Sequence, residues 1–122
     1  MPRPDATAEL TTALEERILM LDGAMGTTIR GYGLTEEDAR GERFKDIDKD
    51  ILNNGDILTL TRPDVISDIH RRFLEAGSDI IETNSFSATS IAQSEFFVED
   101  PRESGKGRKD PDFYQKIMDD PF

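Results

Sequence analysis

Apolar positions crowd between Ile18 and Phe97, while residues 1–7 and 99–110 are dominated by proline, glycine and charge. Two of the apolar runs end on an acid followed by small or polar residues. They are Ile18-Leu19-Met20-Leu21-Asp22-Gly23-Ala24-Met25-Gly26-Thr27 and Asp79-Ile80-Ile81-Glu82-Thr83-Asn84-Ser85-Phe86. Short continuous apolar runs bounded by turn residues predict buried strands, here over 17–22 and 79–86. Between them Val65, Ile66, Ile69, Phe73 and Leu74 recur at helical spacing. Pro63 suits the first turn of that helix, Thr61 is a candidate cap, and Gly77 suits the position after its end. Strand, helix, strand is a βαβ unit, which requires a right-handed crossover and a parallel sheet.

Other elements follow from weaker patterns. Ala8 to Glu16 combines strong helix formers with a partial apolar face, predicting a short leader helix over residues 1–16. Thr35-Glu36-Glu37-Asp38 reads as a capping box with Asp in place of Glu, so a helical turn starts there. The rest of Gly31 to Asn54 reads as a long polar excursion. Ser87 to Phe97 predicts a second covering helix, residues 99–110 a solvated loop, and Asp110 to Met118 one more capped helix. Lys106-Gly107-Arg108-Lys109 reads as part of that loop, balanced by neighbouring acids.

Composition narrows the function classes. With 122 residues, 35% hydrophobic and 34% charged, the chain holds one domain at most. A net charge of −11 repels phosphate backbones and anionic lipid, which argues against a nucleic-acid or membrane-surface partner. No apolar run approaches the ~20 residues of a bilayer span. Met1-Pro2-Arg3-Pro4-Asp5 lacks the apolar core of a signal peptide, so a cytoplasmic location is expected. The absence of cysteine rules out disulfides and thiolate metal sites within these residues.

A strand that stops at an acid puts that acid on the C-terminal rim of a sheet, where α/β folds build ligand sites. Asp22 beside Gly23 and Gly26 can face the ammonium of a small ligand while the backbone N–H groups of the turn receive its carboxylate, which together suit an amino acid. The alternative for Asp22 is an Asx turn that ends the strand. Glu82, between Ile80-Ile81 and Phe86, is expected to be partly buried and therefore to need a partner. His70 lies beside Arg71 and Arg72, off the apolar stripe, and reads as a solvated histidine, not a metal ligand. Met20 is expected in the core and Met25 against a ligand or in the core.

A series of blocks then carries a family resemblance: Leu21-Asp22-Gly23-Ala24-Met25-Gly26-Thr27, Arg40-Gly41-Glu42-Arg43-Phe44, Asn53-Asn54-Gly55-Asp56-Ile57-Leu58, Arg62-Pro63-Asp64-Val65-Ile66, and Ala76 to Phe86. In unbroken order from about Arg17 to Phe96, they resemble the homocysteine-binding module of cobalamin-dependent methionine synthases. The Arg-Gly-Glu-Arg-Phe block points to these enzymes over their betaine- and S-methylmethionine-dependent relatives. The resemblance implies an α/β fold, the N-terminal part of a (β/α)8 TIM barrel, with the βαβ part at 17–97 and a charged insertion with a short helix at 98–122. It implies that homocysteine lies at the barrel mouth, that a zinc ion held by three cysteines of later strands binds its sulfur, and that the thiolate attacks a methyl group carried on cobalamin. Methyltetrahydrofolate recharges that cofactor in neighbouring modules. Asp22, Gly23, Ala24 and Met25 would hold the amino-acid end, with Glu82, Thr83 and Asn84 on the adjacent rim as support or contacts.

The departures also carry meaning. The family usually has glycine where this chain has Ala24, and Gly-Asn-Asn-Asp where it has Asn53-Asn54-Gly55-Asp56. A barrel of this type takes ~250 residues, so the barrel is incomplete and the chain is expected to be the front of a longer enzyme. On its own it is expected to carry no catalytic residue and no metal, to bind neither zinc nor cobalamin, and to fold poorly or aggregate. The alternatives are another homocysteine S-methyltransferase of the same barrel family, or a non-catalytic remnant that pairs with a partner chain through an open sheet edge. A haloacid-dehalogenase-type phosphotransferase also begins with a strand ending in Asp-x-Asp-Gly-Thr, but Ala24 stands where its second acid is needed.

Overall fold

The computed structural model describes residues 4–97. Its elements are α1 (Thr7–Glu16), α2 (Met25–Gly31), α3 (Glu36–Arg40), a 3-10 turn (Gly55–Ile57), α4 (Leu58–Thr61), α5 (Pro63–Glu75) and α6 (Ser90–Phe97). The segment 98–122, with its expected loop, basic cluster and helix at 110–118, lies outside the described residues.

α5 forms where its periodicity puts it. Pro63 occupies the first turn, and Val65, Ile66 and Ile69 are buried. Its end is a Schellman motif: Gly77, at φ 107°, donates its N–H to Leu74 O at 3.0 Å, and Ser78 donates to Phe73 O at 3.0 Å. That left-handed φ is open to glycine at little cost, which is why the helix stops there. Thr61 does not cap α5. Its hydroxyl donates to Ile57 O at 3.4 Å, one turn back at the N-cap of α4, and the N-cap of α5 is Arg62, without a side-chain cap.

The capping box at α3 is present in both halves. Thr35 Oγ1 accepts from Asp38 N at 3.2 Å, and Thr35 N donates to Asp38 Oδ2 at 2.9 Å. The stretch that follows is no polar excursion. Ala39 and Ile51 are fully buried beside Ile57, Leu58 and Ile66, with Met25, Ile29, Leu34, Phe44, Ile47, Phe96 and Phe97 packed around them. Polar bonds fold this stretch inward. Glu36 Oε1 and Oε2 accept from Ile51 N at 2.7 Å and Leu52 N at 2.8 Å. Arg40 meets Glu36 Oε1 at 3.0 Å and donates to the carbonyls of Ile47 and, at 2.7 Å, Lys49. A bidentate carboxylate and a planar guanidinium fork thus satisfy the backbone of 47–52 without regular structure.

The two expected strands shrink to one parallel bridge, Leu21 with Ile80. Ile80 N donates to Met20 O at 3.2 Å and Asp22 N to Ile80 O at 3.0 Å. The next rung of a parallel ladder would run from Glu82 N to Asp22 O. Instead Glu82 N donates to Asp22 Oδ1 at 3.0 Å, so the acid that ends the apolar run also ends the ladder by replacing its own carbonyl. A lone pair of parallel segments has little else to hold it. At the other end Arg17 clamps Asp79 with two bonds, Nη1 to Oδ2 at 2.8 Å and Nη2 to Oδ1 at 2.5 Å, and Met20 N donates to Asp79 Oδ2 at 3.0 Å.

Several burial expectations reverse. Ile18, Met20 and Leu21 are 86%, 59% and 54% exposed, so Met20 is not a core residue. Glu82 is exposed and Phe86 fully so. No third segment forms a β-bridge with this pair among the described residues. His70 is half-buried, not solvated, and its Nε2 is buried without a hydrogen-bond partner among the described residues. α2 forms despite a weak helical sequence, Met-Gly-Thr-Thr-Ile-Arg-Gly, because Met25 and Ile29 pack on the core. No helix among the described residues is long and apolar enough to cross a membrane.

Candidate functional site

An open cleft of about 1040 Å³ lies where three turns meet: Asp22 to Gly26 leading into α2, Leu52 to Leu58, and Glu82 to Ser87. All seven residues singled out from sequence, Asp22, Gly23, Ala24, Met25, Glu82, Thr83 and Asn84, line it. Tertiary structure therefore brings together residues 60 positions apart, and the Asp22 to Glu82 bond joins the two rims at the same end of the bridged pair.

Asp22 makes no Asx turn, since its Oδ1 reaches across to Glu82 N. Its second oxygen has no protein partner among the described residues and stays available to a ligand. Glu82 likewise has no side-chain partner among them, so its carboxylate is a second free acid on the rim. Ala24 is the N-cap of α2 at φ 50°, ψ 30°, the left-handed conformation that glycine adopts freely. The first helical bond of α2 that involves this turn runs from Thr28 N to Ala24 O at 2.9 Å. The amides before Thr28 therefore have no partner within the helix, and point out of its first turn. Met25 is half-buried, shared between the cleft and the core. Thr83 Oγ1 and Ser85 Oγ share a hydrogen bond of 2.6 Å, which braces the third turn.

Asn84 acts as a support. Its Nδ2 donates to Gly55 O at 2.8 Å and to Thr59 Oγ1 at 3.1 Å, tying the third turn to the second. Asp56 makes a parallel tie, accepting from Ser87 N at 3.2 Å on each oxygen. Behind both lies a pair that sequence reasoning did not single out. Asn54 and Gln93, only 2% and 8% exposed, bond reciprocally: Asn54 Nδ2 donates to Gln93 Oε1 at 2.7 Å, and Gln93 Nε2 donates to Asn54 Oδ1 at 3.2 Å. The one available signal was an amide residue directly after the apolar pair Ile91-Ala92 in the first turn of α6.

Electrostatically the cleft lining is acidic, with Asp22, Asp56 and Glu82 against Arg30, the one cation among the cleft residues. At the far end of the bridged pair, the Arg17 guanidinium and the Met20 N–H hold the Asp79 carboxyl down at about 2. That acid stays ionised as a structural clamp and does not reach the cleft.

No group of three or more histidine, cysteine or acidic side chains among the described residues could hold a metal ion. The zinc that the resemblance implies does not fit these residues: there is no thiolate donor, and Asp22 has already committed one oxygen to a backbone N–H.

What the arrangement suits is a small zwitterion: carboxylates for an ammonium, unpaired amides for a carboxylate, and apolar wall from Met25, Ile29, Leu34 and Leu58 for a short side chain. A sequence profile of the homocysteine S-methyltransferase family matches residues 19–106, most of the chain and all of the cleft. The chain belongs to the homocysteine S-methyltransferase family, whose activity is methyl transfer to homocysteine.

Proposed function

We propose that this chain forms the opening part of a homocysteine-binding (β/α)8 barrel of the methionine synthase type, and that its cleft holds the amino-acid end of homocysteine. The observation that carries the reading is the convergence of Asp22, the turn Gly23 to Met25 and Glu82 on one cleft, with Asp22 bonded across to the second rim. In this assignment the free oxygen of Asp22 and the carboxylate of Glu82 face the substrate ammonium. The unpaired amides of the turn receive its carboxylate, and the sulfur points away from this chain. Charge-assisted contacts of that kind orient the substrate and leave the thiol free to react.

Two features support the finer reading. Arg40, from the Arg-Gly-Glu-Arg-Phe block, has a definite task in shaping segment 47–52, which leads into the cleft residue Leu52. The exposed apolar run Ile18, Met20 and Leu21 is what a barrel strand presents when its other neighbour is absent. Zinc, cobalamin and methyltetrahydrofolate belong to the parts of the enzyme outside this chain, and no step through them falls to these residues. The same exposed run supports a second reading, a remnant that pairs with a separate chain. In that case size-exclusion chromatography of this chain mixed with the remaining barrel shows one folded complex.

Hydrogen exchange with mass spectrometry at micromolar chain, with and without millimolar L-homocysteine, tests the primary reading. Slower exchange confined to residues 22–28 and 80–84 is expected, with no zinc uptake and no methyl transfer by the chain alone. No ligand-dependent change in a folded chain overturns the assignment.

A further inference from the structure

We infer that Gln93, which lies behind the cleft and does not line it, is a positioning residue that sets the spacing between its second and third turns. The inference rests on the homocysteine reading for its ligand, but its geometry stands apart from it. The Gln93 side chain, 8% exposed, makes three hydrogen bonds: Oε1 accepts from Asn54 Nδ2 at 2.7 Å, and Nε2 donates to Asn54 Oδ1 at 3.2 Å and to Ser87 O at 2.9 Å. Asn54 sits between Asn53 and Gly55, both in the cleft wall, and Ser87 is in the facing wall. One amide therefore grips both walls from the rear. Asn84 to Gly55 and Asp56 to Ser87 grip the same two turns from the front.

The chemistry explains the choice of glutamine. A primary amide offers an acceptor and two donors in one plane, and this site uses the acceptor and the donor nitrogen twice. Glutamate lacks the donors and leucine lacks both functions. Because the pair is buried, losing either partner leaves polar atoms unpaired with no solvent to replace them, so the turns separate to recover water. The α6 anchor is fixed independently, since Phe96 and Phe97 pack on the core and the Phe97 ring lies tilted at 46° against Phe44, with centroids 5.3 Å apart.

The test is hydrogen exchange on Gln93→Leu and Gln93→Glu chains, each with and without L-homocysteine. Exchange in peptides covering 52–57 and 84–89 is expected to rise about tenfold relative to wild type, the factor that one net hydrogen bond supports, with α5 unchanged. The L-homocysteine concentration that protects residues 22–28 is expected to rise by a similar factor. Gln93→Glu keeps the acceptor for Asn54, so it serves if Gln93→Leu does not fold. Equal changes in the two turns and in α5 show a merely structural residue and overturn the proposal. So does unchanged homocysteine protection once the turns have loosened. If wild type shows no homocysteine protection while Gln93→Leu frees both turns, the ligand assignment fails and the spacing role stands.

Discussion

Ala24→Gly is the substitution whose sign most directly tests the turn at the heart of the cleft. Ala24 sits at φ 50°, ψ 30°, where a Cβ crowds the following carbonyl. Holding an L-residue there costs about 1–2 kcal/mol. Glycine removes that strain and takes back about 0.4–1 kcal/mol through the greater freedom of the unfolded chain. The net expectation is a gain of about 0.5–1 kcal/mol, or roughly 2–8 °C in thermal midpoint for a domain this size. Circular dichroism melts and urea titrations of both chains, matched in concentration, measure it. If Ala24→Gly instead lowers stability by about 0.5–1 kcal/mol, the ordinary cost of glycine at a right-handed helical position, the turn is not left-handed and the reasoning fails. Removing the methyl group also opens the approach to the turn amides, so L-homocysteine protection of residues 22–28 is expected at lower concentration in the glycine variant.

Further outcomes follow from individual contacts. Asp22→Asn keeps the acceptor for Glu82 N but removes the charge, so homocysteine protection weakens about tenfold or more while the melting midpoint holds; a coincident fall in both marks Asp22 as purely structural. The Asp79 carboxyl drops from 3.8 to about 2 in the folded chain, so its stabilising contribution is complete above the unfolded value and is lost as pH falls from there through about 2. Urea unfolding of Asp79→Asn between pH 2 and 6 is accordingly expected to lack the part of the acid slope that wild type shows, and parallel slopes refute the clamp. Arg40→Lys cannot serve Glu36, Ile47 O and Lys49 O together, and is expected to cost about 1–3 kcal/mol in urea unfolding; a wild-type midpoint would show that segment 47–52 folds without the fork.

Local rules were enough for the elements whose signals are local. The 3.6-residue spacing of Val65, Ile66 and Ile69, the glycine at position 77 and the Thr35 to Asp38 box each specify a helix or its end through bonds within a few residues. The acids at the ends of the two apolar runs were legible for the same reason, and they stand on one cleft. What stayed hidden depends on partners far along the chain. Glu36 and Arg40 turn an apparently polar stretch into core by serving backbone groups at 47–52. Gln93 and Asn54 find each other across 39 positions, and Met25 and Ile29 make a helix of a sequence that has little propensity for one.

By itself, then, the sequence determined the helices with periodic faces and caps, the acidic rim residues and the family, because each is written in neighbouring residues or in an ordered series of motifs. Only the tertiary structure decided that the apolar runs meet in a single bridge, that Asp22 ends the ladder with its side chain, and that Glu82 and Phe86 face solvent. The physical reason is that strand pairing and burial are properties of what lies alongside a segment, and no residue carries that information in its own neighbourhood.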